Sequence, residues 1–426
     1  MDVRKNSDLW IITGESPKDT LLEIEMLLNP EIVDVIDGFP QEVLDVEEKT
    51  RSANSRYSMT YTFFSALSYA LRAMIVLFPA MLVLIYYKYG REKVFTVPKF
   101  LSYVPKRRKP WLVNLVFKGD AFDFDENGFY ATLLDLQRRG IVAIETDEGK
   151  AGSVRLKLET ALGVGEGLRI KLLKGPEAVE DEYERDVLRF LEDYAENGVF
   201  DTRAFEKMVD SLRDSARMGG YAMLNLKGIH DRMKGLLNVR DKSIASEFVV
   251  SGRKKVALLI IPFFLLMFVT LFMFFSLGAV YPPSRSCLFY SFILVLQSIP
   301  PVFFPSALFG RYTGDYYKEK LEWDAFKTFL SDFASIRKYA PEDLTMWKEW
   351  LVYGTALGVG DKVAEAMKRL NVGVSEAHAT TYMPIYFGHA FRMTAPSTAK
   401  GGGGFAGGGG GFGAGGGFGG GGGGAR

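Results

Sequence analysis

Two long apolar runs near the middle of the chain constrain everything else about it. Residues 256–281 (VALLIIPFFLLMFVTLFMFFSLGAVY) and 287–310 (CLFYSFILVLQSIPPVFFPSALFG) contain no Asp, Glu, Lys or Arg. Each exceeds the roughly 20 apolar residues with which an α-helix crosses about 30 Å of hydrocarbon. Only residues 282–286 (PPSRS) separate them, so two membrane helices joined there run antiparallel, as a hairpin. Pro300, Pro301 and Pro305 in the second run remove backbone donors and are expected to kink it. The absence of charge in both runs argues against an ion or proton path.

A third span is shorter. Residues 73–87 (AMIVLFPAMLVLIYY) are uncharged, and extension back to Phe63 supplies the length but takes in Arg72. An arginine near a helix end can carry its charge to the interface along its own aliphatic stem. The expectation is therefore a mainly α-helical membrane protein with transmembrane helices over 63–88, 256–281 and 287–310. Basic flanks set the orientation. Lys88, Arg91, Lys93, Lys99 and Lys106-Arg107-Arg108-Lys109 follow the first span, Arg253-Lys254-Lys255 precede the second, and Arg311, Lys318 and Lys320 follow the third. The hairpin turn holds only Arg285. Lys and Arg accumulate on the cytoplasmic side, so residues 89–255 and 311–426 are expected there, with a short extracytoplasmic segment, 1–60, outside. Leu9 to Ile12 is too short for a signal-peptide core, and the first span is expected to act as the anchor. Residues 21–28 (LLEIEMLL) read as a short amphipathic helix.

Composition narrows the chemistry. With 52 Lys+Arg against 51 Asp+Glu, there is no global pull toward nucleic acid. The single cysteine, Cys287, excludes an intrachain disulfide and a cysteine-built metal site, and His230, His378 and His389 are scattered. No nucleophile elbow, P-loop or zinc-hydrolase motif occurs. The expectation is a chain that is not an enzyme and that takes no cofactor and no metal. Asp123-Phe124-Asp125-Glu126-Asn127-Gly128 opens like an EF-hand loop, but its twelfth position is Leu134 where calcium needs a bidentate Glu. It reads instead as an acidic turn capping the next helix. Gly163-Val164-Gly165-Glu166-Gly167 misses the dinucleotide spacing and reads as a loop.

The expected cytoplasmic part has its own rhythm. Over 110–160 an apolar stretch at Trp111–Phe117 precedes the acidic turn, then a helix over 129–139 ends at Gly140. Strands follow at 141–145 and 154–158. This is a winged-helix-like α+β outline. Residues 178–238 show helical spacing at 183–194, 202–212 and 221–237. Past the third span, 311–372 form a helical segment over 316–339, 341–357 and 361–370, with Pro341 placed at a helix start. Residues 373–400 read as a linker. Residues 401–426 are glycine with scattered Phe and Ala, too poor in side chains to offset ordering entropy, and read as a disordered tail.

Several blocks in order carry a family resemblance. They are YYKYGRE at 86–92, GFYATLLDLQRRGIVAI at 128–144, WDAFKTFLSDF at 323–333, WLVYGTALGV at 350–359 and the GGGGFAGGGGGFG tail. Over about residues 60–426 the chain resembles the YciQ-like predicted membrane proteins, a domain-of-unknown-function group. The resemblance implies a membrane location and a cytoplasmic C-terminal region, and it supplies no activity and no catalytic residues. Members usually carry a large extracytoplasmic β-rich domain, whereas about sixty residues precede the first span here.

Lys106, Arg107, Arg108 and Lys109 lie about twenty residues beyond the first span, within reach of an anionic leaflet. They read as a topology signal and anionic-lipid contact ahead of nucleic-acid binding. In a DNA reader the helix before Gly140 would be the recognition helix, yet it offers only Gln137, Arg138 and Arg139, bunched at its end beside Asp135. The favoured function is a non-enzymatic scaffold or signalling component that binds membrane lipids and a protein partner. The alternative is a membrane-tethered nucleic-acid-binding regulator.

Overall fold

The computed structural model describes residues 2–6, 9–13, 44–145, 167–216, 221–238, 243–278, 281–305, 307–373 and 375–395. The elements run β1 (Asp2–Asn6), β2 (Leu9–Thr13), α1 (Val46–Ile85), α2 (Pro110–Phe117), α3 (Glu126–Arg138), β3 (Val142–Glu145), β4 (Arg169–Leu172), α4 (Glu182–Asp193), β5 (Val199–Asp201), α5 (Thr202–Ala216) and α6 (Tyr221–Leu237). There follow β6 (Val249–Val250), α7 (Ile260–Met273), α8 (Pro282–Ser298), β7 (Arg311–Tyr312), α9 (Tyr316–Ser331), α10 (Phe333–Lys338), α11 (Leu344–Ala356), α12 (Gly360–Arg369) and α13 (Ser375–Thr394). The chain divides into two units, one of residues 1–84 and 255–303, the other of residues 85–254 and 304–426.

The first unit holds the β1–β2 hairpin and helices α1, α7 and α8. Among the described residues, three helical stretches are long and apolar enough to cross a membrane: Val46–Gly90, Val256–Ser276 and Pro282–Phe303. Their packing relies on small and polar side chains, as helices do where both partners and solvent are apolar. The Cys287 thiol donates to the Phe64 carbonyl at 3.1 Å, the Thr270 and Ser291 hydroxyls meet at 2.8 Å, and Gln297 Nε2 donates to the Ile75 carbonyl at 3.3 Å. The Arg72 guanidinium lies 4.8 Å from the Tyr290 ring centre and 5.3 Å from that of Tyr69.

The helix boundaries extend beyond or fall short of the expected spans. Helix α1 begins at Val46 rather than near Phe63, because the polar residues before the apolar run are helix-compatible. The 282–286 link is already helix: Pro282 sits at the start of α8, where a proline costs no hydrogen bond. Helix α8 stops at Ser298 and gives way to a 3₁₀ turn at Pro300–Phe303. The paired prolines thus end the α-helix rather than bend it, since each lacks an N–H and disfavours helical geometry in its predecessor.

Among the described residues the second unit is a helical core with a three-stranded sheet and a two-stranded pair, β6–β7. Strands β3, β4 and β5 form an antiparallel sheet in that order, with Ile144 opposite Ile170 and Ile170 opposite Phe200. The described partner of β3 is therefore β4, and the strand expected at 154–158 lies outside the described residues. Helix α3 is the spine. Residues 128–136 are buried throughout, and Phe129 meets Phe387 of α13 at 5.0 Å. Trp323, Trp347 and Trp350 are fully buried, with Trp323 against Phe117 and Tyr353. The acidic turn before α3 is a cap: Asp125 accepts from the Asn127 amide at 3.1 Å and from Asn114 Nδ2 at 2.8 Å, and it contacts Lys118. Gly140 has φ +68°, as its place after the helix requires.

Two expectations here are corrected. Residues 373–400, read as a linker, contain α13 over 375–394, whose Met383, Tyr386, Phe387 and Ala390 enter the core. Pro341 does not open a helix. Asp343 caps α11, accepting from the Thr345 amide at 2.8 Å, because an oxygen acceptor satisfies an orphan N–H that proline merely lacks. The amphipathic segment at 21–28, Gly163 to Glu166 and the glycine tail at 401–426 all lie outside the described residues.

Three chain segments meet at one corner of this unit. Strands β6 and β7 pair, with Val249 opposite Tyr312. The Tyr312 amide donates to Glu92 Oε1 at 2.7 Å. A Cβ on Gly90 would overlap the Leu308 carbonyl, one on Gly252 the Phe309 carbonyl, and one on Gly310 the Val250 carbonyl. Only glycine permits these backbones to approach so closely. Burial raises the Glu92 carboxyl above its ordinary value, against the Tyr312 amide and Arg311. A raised folded-state pKa means that the folded chain binds the proton more tightly, so this stabilisation is present below about pH 4.5 and lost as pH rises through the folded value. Glu92→Gln keeps the acceptor and removes the charge. Its melting temperature, followed by tryptophan fluorescence of the full chain in detergent, is expected to exceed wild type at pH 7.5 and to converge with it near pH 4.5. A constant difference across that range would refute the assignment.

Candidate functional site: an arginine-lined cleft

The described residues form an open cleft of about 300 Å³ on the second unit, lined by Arg107, Arg108, Lys109, Asp135, Arg138, Arg139, Glu349 and Tyr353. Its residues arrive from three places. Residues 106–109 belong to a non-helical segment that ends at Pro110, which opens α2. Arg138 and Arg139 end α3, where cations suit the carbonyl end of the dipole. Glu349 and Tyr353 sit one turn apart on α11, and the Tyr353 hydroxyl donates to the Arg108 carbonyl at 2.7 Å, fixing the run against the helix.

The floor of the cleft is a set of buried carboxylates. Arg108 forks onto Glu319, Nε to Oε1 at 2.6 Å and Nη2 to Oε2 at 2.8 Å, and Trp323 Nε1 adds a third donor at 3.3 Å. Glu319 holds the Arg108 guanidinium above its usual range. Lys109 Nζ and Arg139 Nη2 both lie 2.8 Å from Oε1 of Glu184, which is fully buried. Asp135 takes Arg138 Nη2 at 2.7 Å and Arg139 Nε at 2.9 Å. Buried carboxylates require this company, because an unpaired charge in the interior costs several kcal/mol.

The rim differs. Arg107 keeps 91% of its side chain exposed and reaches only to 3.9 Å from Glu349, and Lys106 lies 4.0 Å from Glu319. Five cations line the cleft against four carboxylates, Asp135 and Glu349 in its lining and Glu184 and Glu319 beneath it, so the positive surplus is small and sits at the exposed Arg107. Arg139 Nε and Nη2 are inaccessible and lack well-aligned acceptors, and Glu184 Oε2 is inaccessible and lacks a donor. The cleft is thus built to hold cations in fixed positions, with the capacity to receive an anionic group at its rim.

Residues 97–367 match the family model described as predicted membrane protein (DUF2207) C-terminal domain. The chain belongs to the DUF2207 family of predicted membrane proteins. No curated protein and no solved structure matches it. Every cleft residue of this DUF2207 chain, from Arg107 to Tyr353, falls inside the matched stretch. The structure keeps the four basic residues read from the sequence together but divides them: Arg108 and Lys109 turn onto carboxylates, while Lys106 and Arg107 stay at the surface. Glu184, Glu319 and Glu349 escaped the sequence reading. One local signal for them existed, since Glu319 lies four residues before Trp323 on the buried face of α9.

Two histidines of this DUF2207 chain lie elsewhere and make side-chain contacts of their own. His389 Nδ1 lies 2.9 Å from Glu206, and His230 Nδ1 lies 3.1 Å from Thr394 and stacks on Phe391. Among the described residues no group of three or more His, Cys, Asp or Glu is placed to hold a metal ion.

Proposed function

We propose that this member of a membrane-protein family of unknown function is a non-enzymatic scaffold or signalling component. Its second unit faces the cytoplasm and holds a protein partner through the arginine-lined cleft. The observation that carries this reading is the small positive surplus of the cleft, with Arg107 exposed at the rim over a fixed ion-pair floor. The partner chemistry that fits is an acidic peptide segment, because guanidinium groups bind carboxylates in fixed geometry. A photo-crosslinker placed at Lys348, next to Glu349, is expected to trap one reproducible cytoplasmic protein in cells, and Arg107→Glu to abolish the product. Absence of a product, or its survival in Arg107→Glu, defeats the proposal.

Orientation is part of the proposal, with the N-terminus outside and the C-terminus cytoplasmic. It rests on the basic flanks at 88–109, 253–255 and 311–320. Labelling of Ser375→Cys from outside intact cells would overturn it. Kinship with the YciQ-like proteins and a winged-helix-like arrangement of α2, α3 and β3 belong to the same reading. Anionic lipid at Lys106 and Arg107 is a second role for the rim. The nucleic-acid alternative is disfavoured by the burial of α3 and by the engagement of Arg138 and Arg139 with Asp135, since a recognition helix needs an open face.

A further inference from the structure

Between α7 and α8 the first unit carries an apolar groove of about 440 Å³, independent of the cleft described above. Its walls are two helical stripes: Met267 and Leu271 on α7 with Phe274 in the turn that follows it, and Leu288, Phe289 and Phe292 on α8. Positions 288, 289 and 292 lie on one helix face, and Arg285 extends the same stripe by one turn. The groove therefore has a polar end and an apolar length. From Arg285 to Phe292 it runs seven residues, about 10 Å along the helix axis.

Arg285 is the only charged residue among residues 256–303. It is exposed and lies in the first turn of α8, the end at which aligned peptide dipoles already favour an anion. Both helices belong to stretches long and apolar enough to span a membrane, so the medium beside the groove is acyl chain and headgroup. A cation one turn inside the end of such a helix reaches its counter-ion at the headgroup level.

We infer that this groove is a binding site for an anionic phospholipid, with the phosphate on Arg285 and one acyl chain lying along Leu288, Phe289 and Phe292 against α7. Charge complementarity selects the headgroup, and the apolar walls, half-buried at Met267, Leu271, Phe274 and Leu288 and exposed at Phe289 and Phe292, hold the chain. The site discriminates by charge more than by chain, because every bilayer lipid can supply the chain. A zwitterionic lipid places its own ammonium near Arg285 and loses part of the attraction.

The test is native mass spectrometry of the full-length protein released from nanodiscs of phosphatidylglycerol and phosphatidylcholine in equal amounts. Wild type is expected to retain phosphatidylglycerol at least fivefold over phosphatidylcholine. Arg285→Gln is expected to abolish that preference and Arg285→Lys to keep most of it. Leu288→Trp, which fills the groove while leaving Arg285 in place, is expected to lower retention of both lipids. Unchanged preference in Arg285→Gln, or unchanged retention in Leu288→Trp, would overturn the site. So would a disulfide-linked dimer of Phe289→Cys in native membranes without retained lipid, which would assign the groove to a second copy of this chain.

Discussion

Arg108→Met is expected to destabilise the unit of residues 85–254 and 304–426 by about 3–5 kcal/mol, the cost of leaving a buried carboxylate without its cation. Glu319 is nearly inaccessible and takes two hydrogen bonds from this one guanidinium. The arginine also lies 5.0 Å from the centre of the Phe248 ring and 5.6 Å from that of Tyr316, so its packing is lost with its charge. Methionine preserves some of that packing and isolates the electrostatic part. The double variant Arg108→Met/Glu319→Leu is expected to recover most of the loss, since a hydrophobic pair of similar volume often equals or exceeds a buried ion pair. Denaturant melts of the full chain in detergent, followed by tryptophan fluorescence, measure both. A double variant as unstable as the single one would show that Glu319 is not the reason for the loss.

Gly252→Val carries the second large effect. A Cβ at this position meets the carbonyl of Phe309 and the amide of Gly310, backbone atoms that cannot swing aside as a side chain would. Overpacking of ordinary cores costs about 1–3 kcal/mol, and a clash with backbone is expected to exceed that range. The pairing of β6 with β7 should open, and with it the Thr313 amide bond to the Phe248 carbonyl, 2.8 Å in the native unit. Hydrogen exchange at residues 248–252 and 309–313 reads this directly. Gly235→Val, on α6 with open space at its Cβ, is the control and should leave those amides protected.

Much of the helical content was legible because apolar spacing is a local property. The segments at 183–194, 202–212 and 221–237 coincide with α4, α5 and α6 to within a turn. Helix α13 was not legible, because Pro384 and Gly388 interrupt its local signal. It is held by distant partners, Phe387 lying against Phe129 and Phe200. The cleft shows the same limit more sharply. The basic run at 106–109 was visible, but the carboxylates that orient it lie 75 to 211 positions away. No spacing rule reaches across that distance. What composition did convey was balance, with 52 cations and 51 anions, and the interior uses that balance for pairing.

The meeting of residues 90–92, 249–252 and 308–312 at one corner has a consequence for how the protein is made. The chain completes residues 85–254, departs for 255–303, and only then supplies residues 304–395. Until it returns, Phe117 lacks Trp323, Asn114 lacks the Ala356 carbonyl, Glu92 lacks Tyr312 and Arg108 lacks Glu319. The earlier half emerges from the ribosome with its central helix uncovered and an arginine unpaired. Its completion waits on the synthesis of an apolar hairpin that belongs in a bilayer. The second unit is therefore discontinuous in the chain, and the packing of α3 is completed only after residues 255–303 have been made.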